Sequence, residues 1–336
     1  MTGPAVSAVI VTYRRLDLLE ACLASLVEAR ERLGEPSELV VVDNGSGLRP
    51  SEMVKRLHPD AEVVELAENL GFAGAVDRGL AAARGEWLAL FNDDTTLEPD
   101  ALELLLAAGR SDDAVGSVAA QIRFAGRPGV LNSAGIVIDR LGNNSDRLLG
   151  RPVEESERER TEVFGAAGTA AIYRRAVLEG VGGFDASFYA HLEDADVAWR
   201  ARMLGWRCLY EPAAVVHHHH AATLEHFSDE KYFVGGRNRV RLLAKNADAG
   251  MLRRRGASIV AYDLAYVAYV AARERTLAPL RGRIAGLREW GRYRRLGAAL
   301  RRPVELPRST GLRGALRRRA VWSRNTAARQ PGSSAG

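Results

Sequence analysis

The chain has 336 residues, of which 47% are hydrophobic and 26% are charged, as expected of a globular protein with one large domain or two small ones. Its two cysteines, Cys22 and Cys208, exclude a disulfide framework and fit a reducing cytoplasm. The N-terminus has no basic region, and the apolar run at residues 6–13 is too short for a signal peptide. We therefore expect a cytoplasmic protein.

The net charge of +5 is divided unevenly along the chain. Residues 251–336 hold 20 arginines, no lysine and four acids, which gives this segment +16 and leaves −11 for residues 1–250. An arginine-rich tail on an acidic body favours contact with an anionic surface. The candidates are a membrane leaflet, nucleic acid and the acidic body itself.

Strand and helix patterns alternate over the first hundred residues. Buried-strand patterns cover residues 6–12, 39–42, 61–66 and 87–91, and helical spacing covers residues 16–32 and 72–83. This alternation predicts a mostly parallel sheet with both faces covered. The ligand crevice of such a sheet lies at the carboxyl ends of its strands.

Polar clusters follow three of these strands, namely Thr12-Tyr13, Asp43-Asn44 and Asn92-Asp93-Asp94. A carboxylate in that position can hold a divalent cation that neutralises a diphosphate, and Asp94 is the candidate. Asn, Asp and Thr also favour turns and helix caps, which is the competing interpretation. The convergence of three clusters on one edge favours a ligand site.

The middle of the chain has shorter strand patterns, at residues 115–119, 136–139 and 170–173. The polar, charge-rich segment 150–162 is predicted to be a mobile loop over the site.

A helix is predicted to begin near Glu193, because Val197, Ala201 and Leu204 share one helical face. Acids in a first turn are expected from capping and the helix dipole alone. The functional alternative is that one of these carboxylates accepts a proton from a sugar hydroxyl, since a base at a helix N-terminus stays ionised.

Four histidines, at residues 217–220, follow the apolar pair Val215-Val216. One imidazole could complete a metal site begun by Asp94, whereas a surface loop is the alternative for such a tract.

Helical patterns dominate after residue 230. Residues 257–272 are apolar, but they are fewer than the ~20 residues of a spanning helix and include Asp263, so no transmembrane helix is predicted. Residues 281–302 mix arginine with apolar and aromatic residues, as an amphipathic helix at a membrane interface does. Residues 327–336 are predicted to be a disordered tail.

Six motifs stand together in a recognisable order. They are Val11-Thr12-Tyr13, Val41-Val42-Asp43-Asn44-Gly45-Ser46, Asn69-Leu70-Gly71-Phe72-Ala73-Gly74, Asn92-Asp93-Asp94, Glu193-Asp194-Ala195-Asp196 with Trp199-Arg200, and the histidine tract. In order and approximate spacing the chain resembles the family-2 inverting glycosyltransferases of the GT-A fold, within them the bacterial rhamnosyltransferase and galactofuranosyltransferase-like group. The resemblance implies a Rossmann-like α/β domain at residues 1–245, with a mixed sheet flanked by helices. Residues 246–326 would form a basic helical region that contacts a membrane.

The resemblance also implies binding roles. The positions that match donor-binding residues are Thr12, Tyr13, Asp43, Asn69, Gly71, Gly74 and Asp93. Asp94 and His218 would hold Mg²⁺ or Mn²⁺ against the donor diphosphate, with His217 as the alternative to His218.

Asp194 matches the general base of the family, and Glu193 and Trp199 would line the acceptor site. The implied reaction moves a sugar from a nucleoside-diphosphate donor, such as dTDP-rhamnose, to a cell-envelope glycan or a polyprenyl-linked acceptor. Such an enzyme would work at the inner face of the cell membrane.

Three positions depart from the family pattern: Arg14 and Asp77 each stand where asparagine is usual, and Asn92 takes the first place of the acidic motif. They bear on the donor's identity more than on the reaction class. The alternatives are a nucleotidyltransferase on a similar sheet, an inactive scaffold, and a nucleic-acid-binding module that uses the arginine tail. The first would need an early glycine-rich signature, which is missing, and the last would leave the sheet-edge clusters unexplained.

Overall fold

The computed structural model describes residues 3–220 and 228–326, so the predicted disordered tail lies outside the described residues. The strands are β1 (Val6–Thr12), β2 (Ser37–Asp43), β3 (Glu62–Glu65), β4 (Trp87–Asn92), β5 (Thr95–Leu97), β6 (Val115–Phe124), β7 (Arg127–Ser133), β8 (Ile136–Ile138), β9 (Asn144–Asp146), β10 (Thr161–Val163), β11 (Ala170–Arg174) and β12 (Arg207–His218). The helices are α1 (Leu16–Leu33), α2 (Ser51–Leu57), α3 (Gly71–Ala82), α4 (Ala101–Gly109), α5 (Arg175–Val181), α6 (Glu193–Met203), α7 (Asp229–Asn246), α8 (Ala249–Glu274), α9 (Ala278–Arg288), α10 (Trp290–Leu296) and α11 (Gly311–Thr326).

One mixed sheet runs through the molecule in the order β10-β12-β6-β11-β4-β1-β2-β3, and β5 and β7 pair with β12 and β6. Strands β1 to β4 are parallel to one another, whereas β11 is antiparallel to both of its neighbours. The sheet predicted from the first hundred residues is therefore confirmed, and the antiparallel strand makes it mixed.

Each face of the sheet is covered by an apolar layer. Because side chains alternate along a strand, β1 sends Ala8 and Ile10 towards α1 and α4 and sends Val9 and Val11 towards α3. Both faces are buried, which explains why β1 is apolar without interruption.

Segment 150–162 is not a loop over the site, and that prediction was wrong. It contains a short 3-10 turn at Val153–Glu155 and ends in β10, which pairs with β12 at the edge of the sheet. The Ser156 hydroxyl lies 2.7 Å from the Tyr210 hydroxyl. Its charged residues form ion pairs along this edge, which a pattern of polarity alone cannot reveal.

The predicted amphipathic helix at residues 281–302 is divided at Glu289 into α9 and α10. Glycines bring α9 close to α7, since a Cβ added at Gly282 would lie 2.1 Å from the carbonyl oxygen of Phe233. One face of this segment is therefore occupied by protein. No helix within the described ranges combines the length and apolar character that a membrane crossing requires.

The chain returns to the sheet after α10. The Arg140 backbone N–H donates to the Pro307 carbonyl at 2.9 Å, and α11 follows, with the Trp322 ring 5.8 Å from the ring of Phe124 on β6. The basic C-terminal region thus covers the carboxyl ends of the strands.

Candidate active site

A cavity of about 690 Å³ lies where the sequence predicted a crevice. One side is formed by the ends of β1, β4 and β12 and by the starts of α3 and α6, and the other by α7, α8 and α11. Of the residues expected to act, the wall includes Tyr13, Asn69, Gly71, Asp93, Asp94, Glu193, Asp194 and His218. Residues separated by up to 205 positions in the sequence thus meet in one space.

Asp94 and His218 form the pair best suited to a metal. The His218 Nε2 atom lies 3.2 Å from Asp94 Oδ1, and both side chains are nearly buried. His218 Nδ1 lies 2.9 Å from the Asn132 Oδ1 atom, which can accept its proton in a hydrogen bond, and a neutral ring in that tautomer would present a lone pair at Nε2. A lone pair and a carboxylate oxygen side by side suit a divalent cation between them.

No group of three or more metal-ligating side chains occurs among the described residues. A Mg²⁺ or Mn²⁺ ion at the Asp94–His218 pair would take further oxygen ligands from water or from a bound ligand.

The histidine tract is half strand rather than a surface loop, because β12 continues through His218. Strand alternation turns His217 to the other side, where its Nε2 lies 2.8 Å from Glu98 Oε1. The His220 ring lies 3.7 Å from the His218 ring, between centroids, and touches Trp322 of α11. The geometry therefore favours His218 over His217.

Asp93 lies beside this pair and lines the cavity. Burial, reinforced by the neighbouring charge of Asp94, raises the pKa of Asp93 to about 7, although the Tyr13 N–H donates to it at 3.4 Å. A cation or a donor hydroxyl at this edge would offset the cost of its charge.

Asp194 stands at the start of α6 with one carboxylate oxygen at each of two backbone donors. The Ala195 N–H donates to Oδ1 at 2.7 Å and the Gly168 N–H donates to Oδ2 at 3.2 Å. Burial outweighs these bonds and raises the pKa of Asp194. The carboxylate of Asp194 is therefore more basic than that of a free aspartate, and burial, not the helix start, sets the direction of the shift.

Two more carboxyl groups share this part of the cavity. Glu193 is 7% exposed, its Oε2 has no hydrogen-bond partner among the described residues, and burial raises its pKa. Asp146, at the end of β9, lines the same wall, and burial raises its pKa to about 6. Asp146 was missed, because its short polar hairpin carries no strand pattern; its position after the strand-like residues 136–139 was the available signal.

Asp196 and Trp199 are buried inside the protein and do not line the cavity. Asp196 accepts from Arg200 at 2.6 Å and from Lys245 at 2.9 Å, and these cations overcome burial and lower its pKa. Trp199 is 2% exposed, lies in the core and does not line the cavity. The prediction that Trp199 lines the acceptor site was wrong, because its face of α6 packs into the core.

The donor-side motifs divide into residues that reach the cavity and residues that support it. Gly71 has φ +73° and touches Tyr189, since an added Cβ would lie 2.4 Å from the Tyr189 carbonyl oxygen. Asn69 accepts from the Gly71 N–H at 2.8 Å and from Asn44 Nδ2 at 3.0 Å. Asn44, of the Asp43-Asn44 pair that follows β2, lines the cavity itself.

Three predicted donor residues do not reach the wall, namely Thr12, Asp43 and Gly74. Asp43 is 3% exposed, and its Oδ1 accepts from the Ser46 N–H at 3.0 Å, which holds the turn after β2. Gly74 lies against Leu70 and Ala186. Their donor-binding roles stay predictions, because a motif shows which residues occur together and not which side chain faces the ligand.

The family model described as glycosyl transferase family 2 matches residues 7–182 of the chain. The chain belongs to glycosyltransferase family 2. Among curated proteins, it is 29% identical to the N-acetylglucosaminyl-diphospho-decaprenol L-rhamnosyltransferase of Mycobacterium tuberculosis, over 62% of this chain and 75% of the relative. It is 23% identical to the poly-β-1,6-N-acetyl-D-glucosamine synthase of Staphylococcus aureus, over 62% of this chain and 48% of that one.

Two solved structures resemble this glycosyltransferase. GalNAc-T7, determined with UDP, GalNAc and Mn²⁺, has a TM-score of 0.59 at 17% identity and covers 74% of this chain and 49% of its own. The mannosyltransferase PcManGT of Pyrobaculum calidifontis was determined with GDP-Man and Mn²⁺. Its TM-score is 0.51 at 20% identity, and the match covers 89% of this chain and 86% of the mannosyltransferase. The chain thus spans about half the length of GalNAc-T7 and of the staphylococcal synthase. These likenesses show the GT-A fold.

Proposed function

We propose that this glycosyltransferase is metal-dependent and inverting, and that it transfers a sugar from a nucleoside-diphosphate donor. The observation that carries the proposal is the meeting of the Asp94–His218 pair and the carboxylate of Asp194 in one cavity. The donor diphosphate lies at the pair, and the acceptor hydroxyl lies at Asp194.

Asp194 accepts the proton of the acceptor hydroxyl as its oxygen attacks the anomeric carbon in line. The new glycosidic bond forms while the bond from that carbon to the diphosphate oxygen breaks, and the configuration inverts. Asp94 and His218 would hold a divalent cation, which would neutralise charge on the leaving diphosphate. Buried Glu193 lies beside Asp194 and accepts or donates a hydrogen bond to the acceptor sugar.

The mycobacterial relative's name supports dTDP-rhamnose as the donor to test first and a sugar-diphospho-polyprenol as the acceptor class. A membrane-bound acceptor accords with the surface of the C-terminal helices. Val260 and Leu264 of α8 are 58% and 61% exposed, and Leu287 of α9 is 59% exposed. We infer that this apolar surface, with the arginines around it, meets an anionic membrane leaflet. The arginine tail then has no need of a nucleic-acid partner.

The Asp194→Asn variant tests the base assignment. Transfer from dTDP-rhamnose to a sugar-diphospho-lipid should fall roughly 10²- to 10⁴-fold, which is the usual contribution of a general base. Binding of the nucleoside diphosphate with Mn²⁺ should remain, because Asp194 stands on the acceptor side. The matched control is Asp113→Asn, which removes a fully exposed carboxylate and should change neither quantity. A folded Asp194→Asn protein that no longer binds the nucleotide would count against the assignment.

A further inference from the structure

The wall of the cavity changes character along one face of α11. Trp322, Arg318 and Ala315 all line the cavity, at the spacing of one helical face. The Trp322 ring lies 4.8 Å from the His220 ring, so this end of the face adjoins the metal pair. Arg318 lies about 6 Å further along the helix axis and Ala315 about 10 Å, at 1.5 Å per residue.

Arg318 is a cation on the cavity wall with no hydrogen-bonded partner among the described residues. It lies close enough to Tyr262 and Tyr266 of α8 to act on both phenols electrostatically. It forms no hydrogen bond or ion pair with any residue in the part of the chain that the structure describes. Its neighbours differ, because Arg239 and Arg283 both bind Asp263, at 2.7 and 2.8 Å.

Lys231 is a second cation on the cavity wall. Its ammonium group likewise has no hydrogen-bond or ion-pair partner among the described residues, and burial lowers its pKa to about 8. A desolvated cation that no acid compensates is costly, and a bound anion would remove that cost.

The same wall also has apolar members. Val270 is 1% exposed and lines the cavity, as do Ala315 and Leu316. Along α11 the lining changes from aromatic at Trp322, next to His220, to cationic at Arg318 and apolar at Ala315. The cavity thus offers carboxylates, cations and apolar side chains to a ligand that joins a sugar, a phosphate and a hydrocarbon chain.

We propose that the α7–α8–α11 end of the cavity is an acceptor subsite in which Arg318 and Lys231 bind a phosphate that joins the acceptor sugar to a lipid chain. This inference rests on the proposed function, because it places the sugar hydroxyl at Asp194. Arg318 then contacts the phosphate oxygens, and the first part of the chain lies against Val270 and Leu316. The cation pair discriminates against neutral glycosides.

Farnesyl diphosphate is the probe, because it carries the phosphate and the chain without a sugar. Its binding to the full-length protein is measured by calorimetry, with Mn²⁺ and a saturating nucleoside diphosphate present, beside farnesol and inorganic pyrophosphate. We expect farnesyl diphosphate to bind more tightly than either comparator. Arg318→Ala should weaken it by roughly tenfold or more, as for a lost charge-assisted hydrogen bond. Arg317→Ala removes an exposed arginine of the same helix and should leave its affinity unchanged.

Three results would overturn the subsite: no binding to the wild-type protein, equal affinity in the Arg318→Ala variant, or displacement by the nucleoside diphosphate. The last would assign these cations to the donor. Pyrophosphate binding as tightly as farnesyl diphosphate would show a free-phosphate site instead. Nucleoside diphosphate binding is measured separately in the same proteins, and its absence would count against the proposed function rather than against the subsite.

Discussion

Lys231 is a desolvated cation on the cavity wall, and its charge would favour a bound anion. Burial lowers its pKa from 10.5 to about 8, so the protein is destabilised wherever this lysine remains protonated. Below pH 8 both the folded and the unfolded chain hold the proton, and the full cost is present. Between pH 8 and 10.5 the folded state releases the proton first, so stability rises with pH in that window.

Lys231→Met should therefore make the ligand-free protein more stable at pH 7, by at most about 3 kcal/mol. The gain should shrink as the pH rises from 8 towards 10.5, because the wild-type lysine loses its charge there. Urea unfolding of both proteins at pH 7 and at pH 10 measures the difference. A gain that does not change with pH would show that Lys231 is not desolvated.

The position of a side chain could be predicted where a secondary-structure element fixes its direction. Asp94 follows a buried strand and His218 ends one, so the pattern of the chain placed both at the edge of the sheet. Trp199 and Gly74 do not line the cavity, and their motifs do not say which way each helical position faces. Arg318 has no sequence signal that separates it from the other arginines of α11, and only the fold shows that Arg318 and Arg319 line the cavity.

At the scale of elements, the tight contact between α7 and α9 places the C-terminal helices over the site. Two glycines of α9, Gly282 and Gly286, approach the backbone of α7, and a Cβ added at Gly286 would lie 2.7 Å from the Arg237 carbonyl oxygen. Such close approach of two backbones leaves no space for a larger side chain at these positions.

Gly282→Ala should cost about 1–3 kcal/mol of unfolding free energy, as overpacking does, because its Cβ would meet the Phe233 backbone. Gly256→Ala, in α8, is the matched control: no atom lies within 4 Å, and alanine should stabilise the helix by about 0.5–1 kcal/mol. Urea unfolding measures both. Equal stability of the Gly282→Ala variant and the wild type would contradict the packing.

The elements of the first hundred residues were predictable because each carries its own periodicity, and β1 and α3 lie within one or two residues of their predicted bounds. Segments 150–162 and 281–302 were misread for a common reason. Their polarity is satisfied by partners distant in the sequence, such as Glu211 and the backbone of α7, and no local pattern contains that information.

In the molecule as a whole, the arginines that make the C-terminal region basic form two groups. Some C-terminal arginines are used internally, as in the Arg283–Asp263 ion pair. Others, including Arg253, Arg254 and Arg288, are exposed near the apolar side chains of α8 and α9. Because Tyr262 and Tyr266 of α8 face the cavity, the same helix separates the site from the surface proposed to meet the membrane.

Flotation with liposomes that contain anionic lipid tests that surface. The double substitution Val260→Glu with Leu264→Glu should abolish flotation, because it places two carboxylates among exposed apolar groups. Leu48→Glu changes a 48% exposed leucine elsewhere and should float as the wild type does. If the double variant floats equally well, the membrane contact lies on another face.

The central claim is that Asp94 and His218 join the donor diphosphate to a divalent cation. Its most direct test is the Kd of dTDP, UDP and GDP measured by calorimetry in Mn²⁺ and in EDTA, for the wild type and for Asp94→Asn. Mn²⁺ should tighten binding of the preferred nucleotide at least about tenfold in the wild type, as expected for a shared metal ligand. The variant should show no such gain. Equal affinity in Mn²⁺ and in EDTA for the wild type would contradict the account.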